Sequence, residues 1–317
     1  NVQNFTTTTD NYNVGVGYQA GEALTTGEHN TLIGGLSGDA LTDADSNVVV
    51  GYRALTTDTL GSKSVAIGDQ ALENQNFTTA TDTFNVAIGA SAGNQVTTGF
   101  NNTLIGGKAG DAITSGDNNV AVGVNALTGD TLGDRNVAIG AAALASQNFT
   151  TSTDVYNVGV GYLAGYAVTT GIFNTLVGGL TGDSITTGDF NVAVGGAALD
   201  SETAGNNSVA IGTSALTNSN LTTDSNSYNV AVGSNAGQNV TTGIENTLMG
   251  GVAGDSLTDA DYNVAIGTSA LGSDTLGSHS VAVGRRALLE QNFTTATDAY
   301  NVAVGSSAGQ NVSTGTQ

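Results

Sequence analysis

The sequence predicts an all-β fold: a parallel β-roll or β-solenoid of 17- and 21-residue coils. Three observations predict it. A five-residue motif, seen as Asn85-Val86-Ala87-Ile88-Gly89, occurs seventeen times between Asn13 and Gly305. Its spacing runs 17, 17, 17, 21 and then starts again, which defines a 72-residue unit. Fixed-period self-similarity of this kind marks a stack of structural repeats rather than a globule. Finally, 46 glycines and no proline suit short laddered strands and turns. Glycine at that density disfavours helix, and proline would remove a ladder donor.

The elements follow in order. Residues 1–12 match the end of a 21-residue coil, since Asn4-Phe5-Thr6-Thr7 returns as Asn76-Phe77-Thr78-Thr79. Residues 13–84, 85–156, 157–228 and 229–300 are four full units of four coils, and 301–317 is a last partial coil. The whole of 1–317 therefore reads as one repeat domain, cut from something longer or processed to a mature form. Seventeen coils at strand spacing would make a rod roughly 80 Å long.

Within a coil, branched residues such as Val86 and Ile88 alternate with a middle residue such as Ala87. Period two with β-branched enrichment predicts a strand. The motif asparagines (Asn13, Asn30, Asn47, Asn85, Asn102, Asn119) are expected to stack as a hydrogen-bonded ladder. The glycines that follow (Gly17, Gly34, Gly51, Gly68, Gly89) permit a left-handed turn or close backbone approach. Further on, Val96-Thr97-Thr98-Gly99 and Ala112-Ile113-Thr114-Ser115-Gly116 read as a second short strand closing on a glycine turn. The residue after the small Ala is Gly in the first two coils and Leu in the last two, as in Gly21, Gly38, Leu55 and Leu72.

The middle strand position is never polar, so both strand faces call for burial. The coil interior covers one face, and sister chains are the natural cover for the other. The expectation is a homo-oligomer with these strands about a central axis. Small Ala and Gly residues would pack closely there, and Leu32, Leu104, Leu176 and Leu248 would fill every fourth layer.

Net charge is −21, with six Lys and Arg. That argues against nucleic acid and anionic membrane surfaces as partners. No apolar run reaches the roughly 18 residues of a spanning helix. The absence of cysteine excludes thiol chemistry and disulfides.

The repeat Asn-Val-Ala-Ile-Gly-x-x-Ala followed by Thr-Thr-Gly, as in Asn85 to Gly99, resembles the head repeats of trimeric autotransporter adhesins. It also resembles the repetitive shafts of marine bacteriophage tail fibres, in which coils like Asn30-Thr31-Leu32-Ile33-Gly34 and Asp58-Thr59-Leu60-Gly61-Ser62 recur. The resemblance covers essentially the whole chain and implies a homotrimer, intertwined or side by side, in an extracellular or virion fibre. Adhesin head coils are typically shorter than these, and the 17-17-17-21 register suits the phage type better. Neither the adhesins' helical stalk and membrane anchor nor the phage chaperone domain occurs in this stretch, so cell surface and virion both stay open.

Acidic residues keep the 72-residue phase: Asp39 with Asp111, Asp183 and Asp255; Asp45 with Asp117, Asp189 and Asp261; Asp58 with Asp130, Glu202 and Asp274; Asp10, Asp82, Asp154 and Asp298, with Asn226 in the gap. Asp39, Asp45, Asp111 and Asp117 are the Ca²⁺ candidates, since oxygen-rich turns suit that ion. The plainer expectation is solvated turn aspartate that keeps the rod soluble. The four-residue insertion, at Asn76-Phe77-Thr78 and again at Asn148-Phe149 and Asn292-Phe293, offers receptor-facing loops for a host protein or glycan. The alternative is a staple in which each Phe packs with the aromatic that ends the loop, Tyr12, Phe84, Tyr156, Tyr228 or Tyr300. Catalysis finds no constellation: the histidines, His29 and His279, share no context. No cofactor is called for, and the chain is not expected to be an enzyme.

Overall fold

A computed structural model describes residues 10–316. The expected match at Asn4-Phe5-Thr6-Thr7 lies outside them. The chain divides into two compact units, up to Tyr156 and from Asn157, at the boundary between the second and third repeats. Each unit is a parallel β-solenoid, and no helix occurs among the described residues.

The first unit stacks eight three-residue strands, Val14–Val16, Thr31–Ile33, Val48–Val50, Val65–Ile67, Val86–Ile88, Thr103–Ile105, Val120–Val122 and Val137–Ile139. Each is parallel to the next, so that Val86 pairs with Thr103 and Ala87 with Leu104. The second unit stacks nine, from Val158–Val160 to Val302–Val304, in the same manner. Among the described residues a second ladder forms only beside the insertion: Gly61–Ser62 pairs with Thr81–Asp82, and Gly133–Asp134 with Thr153–Asp154. Its counterparts are Gly205–Asn206 with Ser225–Asn226 and Gly277–Ser278 with Thr297–Asp298.

The second strand expected at Val96–Gly99 and Ala112–Gly116 is absent, and those segments are bends. The N–H groups of Thr97, Thr98 and Gly99 all converge on one carbonyl, that of Thr114, at 2.8–3.3 Å. A strand would spread them over successive carbonyls. The Thr97 hydroxyl donates to the same oxygen, at 3.1 Å. Thr25, Thr42, Thr114, Thr169, Thr186, Thr241 and Thr258 bond the next turn in the same way.

The strand's inner and outer faces are the reverse of those expected. The middle residues point into the coil: Leu32, Val49, Ala66, Ala87, Leu104, Ala121 and Ala138 are buried. The branched neighbours face outward, and Ile33, Val48, Ile88 and Ile139 are 36–39 % exposed. The asparagine sets this parity. Asn102 is fully buried because its Nδ2 donates to Gly116 O at 2.9 Å and its N–H donates to Asn85 Oδ1 at 2.9 Å. With that residue inside, period two places Val or Thr outside, the middle residue inside, and Ile or Val outside. Leu32 and Leu104 thus fill the coil interior, not an axis between chains.

Inside, volumes are exchanged between positions. A Cβ on Gly93 would lie 2.7 Å from Leu104 Cδ1, and one on Gly110 2.8 Å from Leu104 Cδ2. The middle leucine therefore occupies space that the glycine leaves. In the third and fourth coils the larger Leu55 and Leu72 take that position, opposite the smaller Val49 and Ala66. Interiors packed at crystal density demand such compensation.

Gly106 stands for the glycine that ends each strand. Its φ is 135°, and a Cβ there would meet Gly123 O at 2.5 Å. The backbones of successive turns lie too close for any side chain.

Candidate functional site

Two regions carry the candidate chemistry: the insertion-bearing wide turns and the outer face of the strand ladder. Each wide turn is organised by a buried carboxylate. Asp58 Oδ1 accepts the N–H groups of Gly61 (3.1 Å) and Phe77 (2.9 Å), and its Oδ2 accepts Gln75 Nε2 at 2.6 Å. Asp130 repeats this with Gly133, Phe149 and Gln147, and Asp274 with Gly277, Phe293 and Gln291. In the third repeat Glu202 takes Gly205, Leu221 and the Ser219 hydroxyl, the longer acid reaching the shorter partner. All four acids are fully buried. The expectation that this set is solvated turn aspartate is thus overturned. Three or more donors converge on each carboxylate, which is what makes a buried charge tolerable. Burial still raises the Asp130 carboxyl above the ordinary range, against the lowering effect of its Gln147, Phe149 and Gly133 hydrogen bonds.

The proposed loop residues divide. Phe77, Phe149 and Phe293 are buried, whereas Thr78, Asn148 and Asn292 are exposed and Asn76 is half-buried. Asn148 and Asn292 accept the hydroxyls of Thr131 and Thr275 at 3.1 Å, ending the threonine column. The aromatic staple is only half present. Its Phe packs inward, but Phe84, Tyr156, Tyr228 and Tyr300 are 42–53 % exposed.

Those exposed aromatics belong to another column, the residue just before each motif Asn. It holds a positive φ in every turn, from Tyr12 (45°) through Lys63 (61°) to Tyr300 (52°). Its members stack: Phe173 on Phe190 at 5.2 Å, and Tyr262, His279 and Tyr300 in succession at 4.9 Å. Lys63 sits over the Phe84 ring at 5.3 Å and Arg135 over Tyr156 at 5.6 Å. The same cations pair with the fourth acidic set, Lys63 with Asp82 at 2.5 Å and Arg135 with Asp154, while His279 lies 3.7 Å from Asp298. Where the column carries neutral Asn207, the acid is replaced by Asn226, and the two amides bond at 2.8 Å. The gap in that acidic series thus follows the loss of its cation.

The Ca²⁺ candidates have structural partners. Asp45 Oδ1 accepts Glu28 N–H at 2.8 Å, and Asp117 Oδ1 accepts Phe100 N–H at 2.9 Å. Asp39 and Asp111 accept the hydroxyls of Thr56 and Thr128. Burial raises Asp117, and the nearby Asp134 charge adds to that. In the third repeat the threonine is replaced by Asp200, facing Asp183. Burial, then the hydrogen bond and charge of Asp183, push the Asp200 carboxyl up to about 6. No cluster of three or more His, Asp or Glu able to hold a metal occurs among the described residues.

Sequence reasoning missed a further polar cluster. Gln75 Nε2 reaches Ser64 Oγ at 2.9 Å while its Oε1 accepts Asn85 Nδ2 at 2.8 Å. The arrangement recurs at Gln291, Ser280 and Asn301. The signal was available: Gln recurs at 75, 147 and 291 in phase with the acids, and Ser replaces Asn at 64, 208 and 280.

The outer sheet face is the other region. Its two columns hold only Val, Ile, Met or Thr, for instance Thr247 and Met249 or Val264 and Ile266, with no charge in any turn. No protein-family model matches the chain, and no curated protein matches it at a significant level.

Proposed function

We propose that the chain is a structural element of an extracellular fibre, and that copies of it assemble side by side through the outer sheet face. The observation that carries this is the uncharged, half-exposed double column of branched side chains on a chain of net charge −21. An acidic surface keeps fibres apart everywhere except along this strip, where apolar burial favours association. In the second unit alone nine strands would present a strip roughly 40 Å long. The repeat's resemblance to tail-fibre shafts and adhesin heads supports a homotrimer of 17- and 21-residue coils, spacing or presenting a receptor-binding element. Of the two settings, the register favours the phage shaft over the bacterial adhesin or surface filament.

Light scattering tests the assembly. The expected mass is three times 31.3 kDa. Ile88→Glu together with Val192→Glu should dissociate it without unfolding the coil, since both side chains point outward. A stable particle of one chain overturns the reading. A Ca²⁺-dependent module, the alternative of another class, requires a melting midpoint that falls in EDTA; an unchanged midpoint removes it.

A further inference from the structure

The cluster at the wide turn holds the parts of an acyl transfer within one hydrogen-bonded set. Ser64 supplies a hydroxyl 2.9 Å from the Gln75 carboxamide nitrogen. Asn85 Nδ2 holds the carboxamide oxygen at 2.8 Å, where negative charge develops when the carbon is attacked. Asp58 Oδ2 holds the departing nitrogen at 2.6 Å. Ser64, Gln75, Asn85 and Asp58 are all fully buried, so no water competes as nucleophile. The same four roles are filled by Ser280, Gln291, Asn301 and Asp274.

We propose that Ser64 with Gln75, and Ser280 with Gln291, close intramolecular ester cross-links with release of ammonia. Oγ forms a bond to the carboxamide Cδ, and the Cδ–Nε2 bond breaks. The proton shed by Oγ passes to the departing nitrogen, its partner at 2.9 Å, which Asp58 Oδ2 holds from the other side, so nitrogen leaves as ammonia. Nothing is oxidised or reduced, and no external reagent enters. A preorganised nucleophile, an oxyanion donor and a held leaving group are the ordinary requirements of such a step. The link joins the start of a strand to the turn that precedes the next one, fastening the wide turn shut.

The other two repeats serve as internal controls. In the second, Asn136 replaces the serine, and its buried Oδ1 has no hydrogen-bond partner. In the third, Ser208 is present but Ser219 replaces the glutamine. Neither can form the ester.

Intact-mass spectrometry of the purified full chain tests the proposal. Each cross-link makes the chain lighter by about 17 Da, the mass of ammonia lost on acyl transfer, so about 34 Da is expected in all. Ser64→Ala and Ser280→Ala should each restore half of the deficit, while Ser208→Ala leaves it unchanged. Peptide mapping should join the Ser64 and Gln75 peptides, and hydroxylamine should part them. A deficit of one ammonia, abolished by one of the two variants, supports that site and overturns the other. A folded chain at its sequence mass, or a deficit that survives both serine substitutions, overturns the proposal.

Discussion

The ordinary turns and the wide turns solve the same problem by different means. In an ordinary turn the Asn side chain caps the next turn's N–H, as Asn119 N–H on Asn102 Oδ1 at 2.9 Å, so identical residues satisfy one another. At the wide turn that ladder breaks. In the first repeat serine stands in the motif position, and Asn85 N–H turns to Thr83 Oγ1 at 3.4 Å instead of the preceding motif side chain. The buried acid then gathers the N–H groups that the extra residues would strand. Repetition stabilises the one region, and a single specific cluster in each repeat stabilises the other. A repeat array is therefore most vulnerable where its period is interrupted.

Four substitutions sharpen or break this contrast. Asp58→Ala should have the largest effect, about 3–5 kcal/mol, since it strands two buried N–H groups and the Gln75 amide; denaturant unfolding would measure it. A loss no greater than that of exposed Asp45→Ala would mean that the wide turn does not depend on its acid. Gly106→Ala should cost about 3 kcal/mol through backbone collision and the positive φ, by the same assay, and tests whether ordinary turns are as tightly stacked as their geometry requires. Asp200→Thr restores the pairing found in the first two repeats. The folded-state pKa of Asp200 lies above its unfolded value, so its contribution is full below the ordinary carboxylate range and is lost as pH rises through about 6. The wild type should melt lower at pH 8 than at pH 5, and the variant should lose that part of the difference, about 1–2 °C for a chain of this size. Asp82→Asn, at an exposed ion pair, should change stability by no more than about 0.5 kcal/mol.

Much of the architecture was legible because it repeats. The strand at each motif follows from period two, and its stacking from the constant spacing. The inner and outer faces were not legible from hydropathy, because Val86, Ala87 and Ile88 are all apolar. Only the hydrogen-bonding demand of Asn85 distinguishes them. The second strand failed for a related reason. Val96 and Ile113 are buried like strand residues, but the three N–H groups that follow Val96 share one acceptor. The acids looked alike in sequence because phase reveals recurrence, not burial. Asp58 is buried beneath donors from its own and the next turn, whereas exposed Asp45 accepts Glu28 N–H from the turn before. The Ser64–Gln75 cluster was hidden because its members come from different stretches of the coil.

The column before each motif Asn has one more consequence. A left-handed non-glycine residue costs roughly 1–2 kcal/mol, yet Tyr, His, Ser, Lys, Phe, Asn, Arg and Glu all occupy it. In ordinary turns the residue is fixed there by a main-chain bond to the preceding turn, such as Lys63 N–H to Asp45 O at 2.9 Å, and after the insertion the residue before it makes that bond, as Thr83 N–H to Ser62 O at 2.9 Å, so side-chain identity is decoupled from conformation. The position works as a row of interchangeable keys on an invariant keyboard. Sequence drift can rewrite what the molecule presents, rung by rung, without retuning the frame beneath.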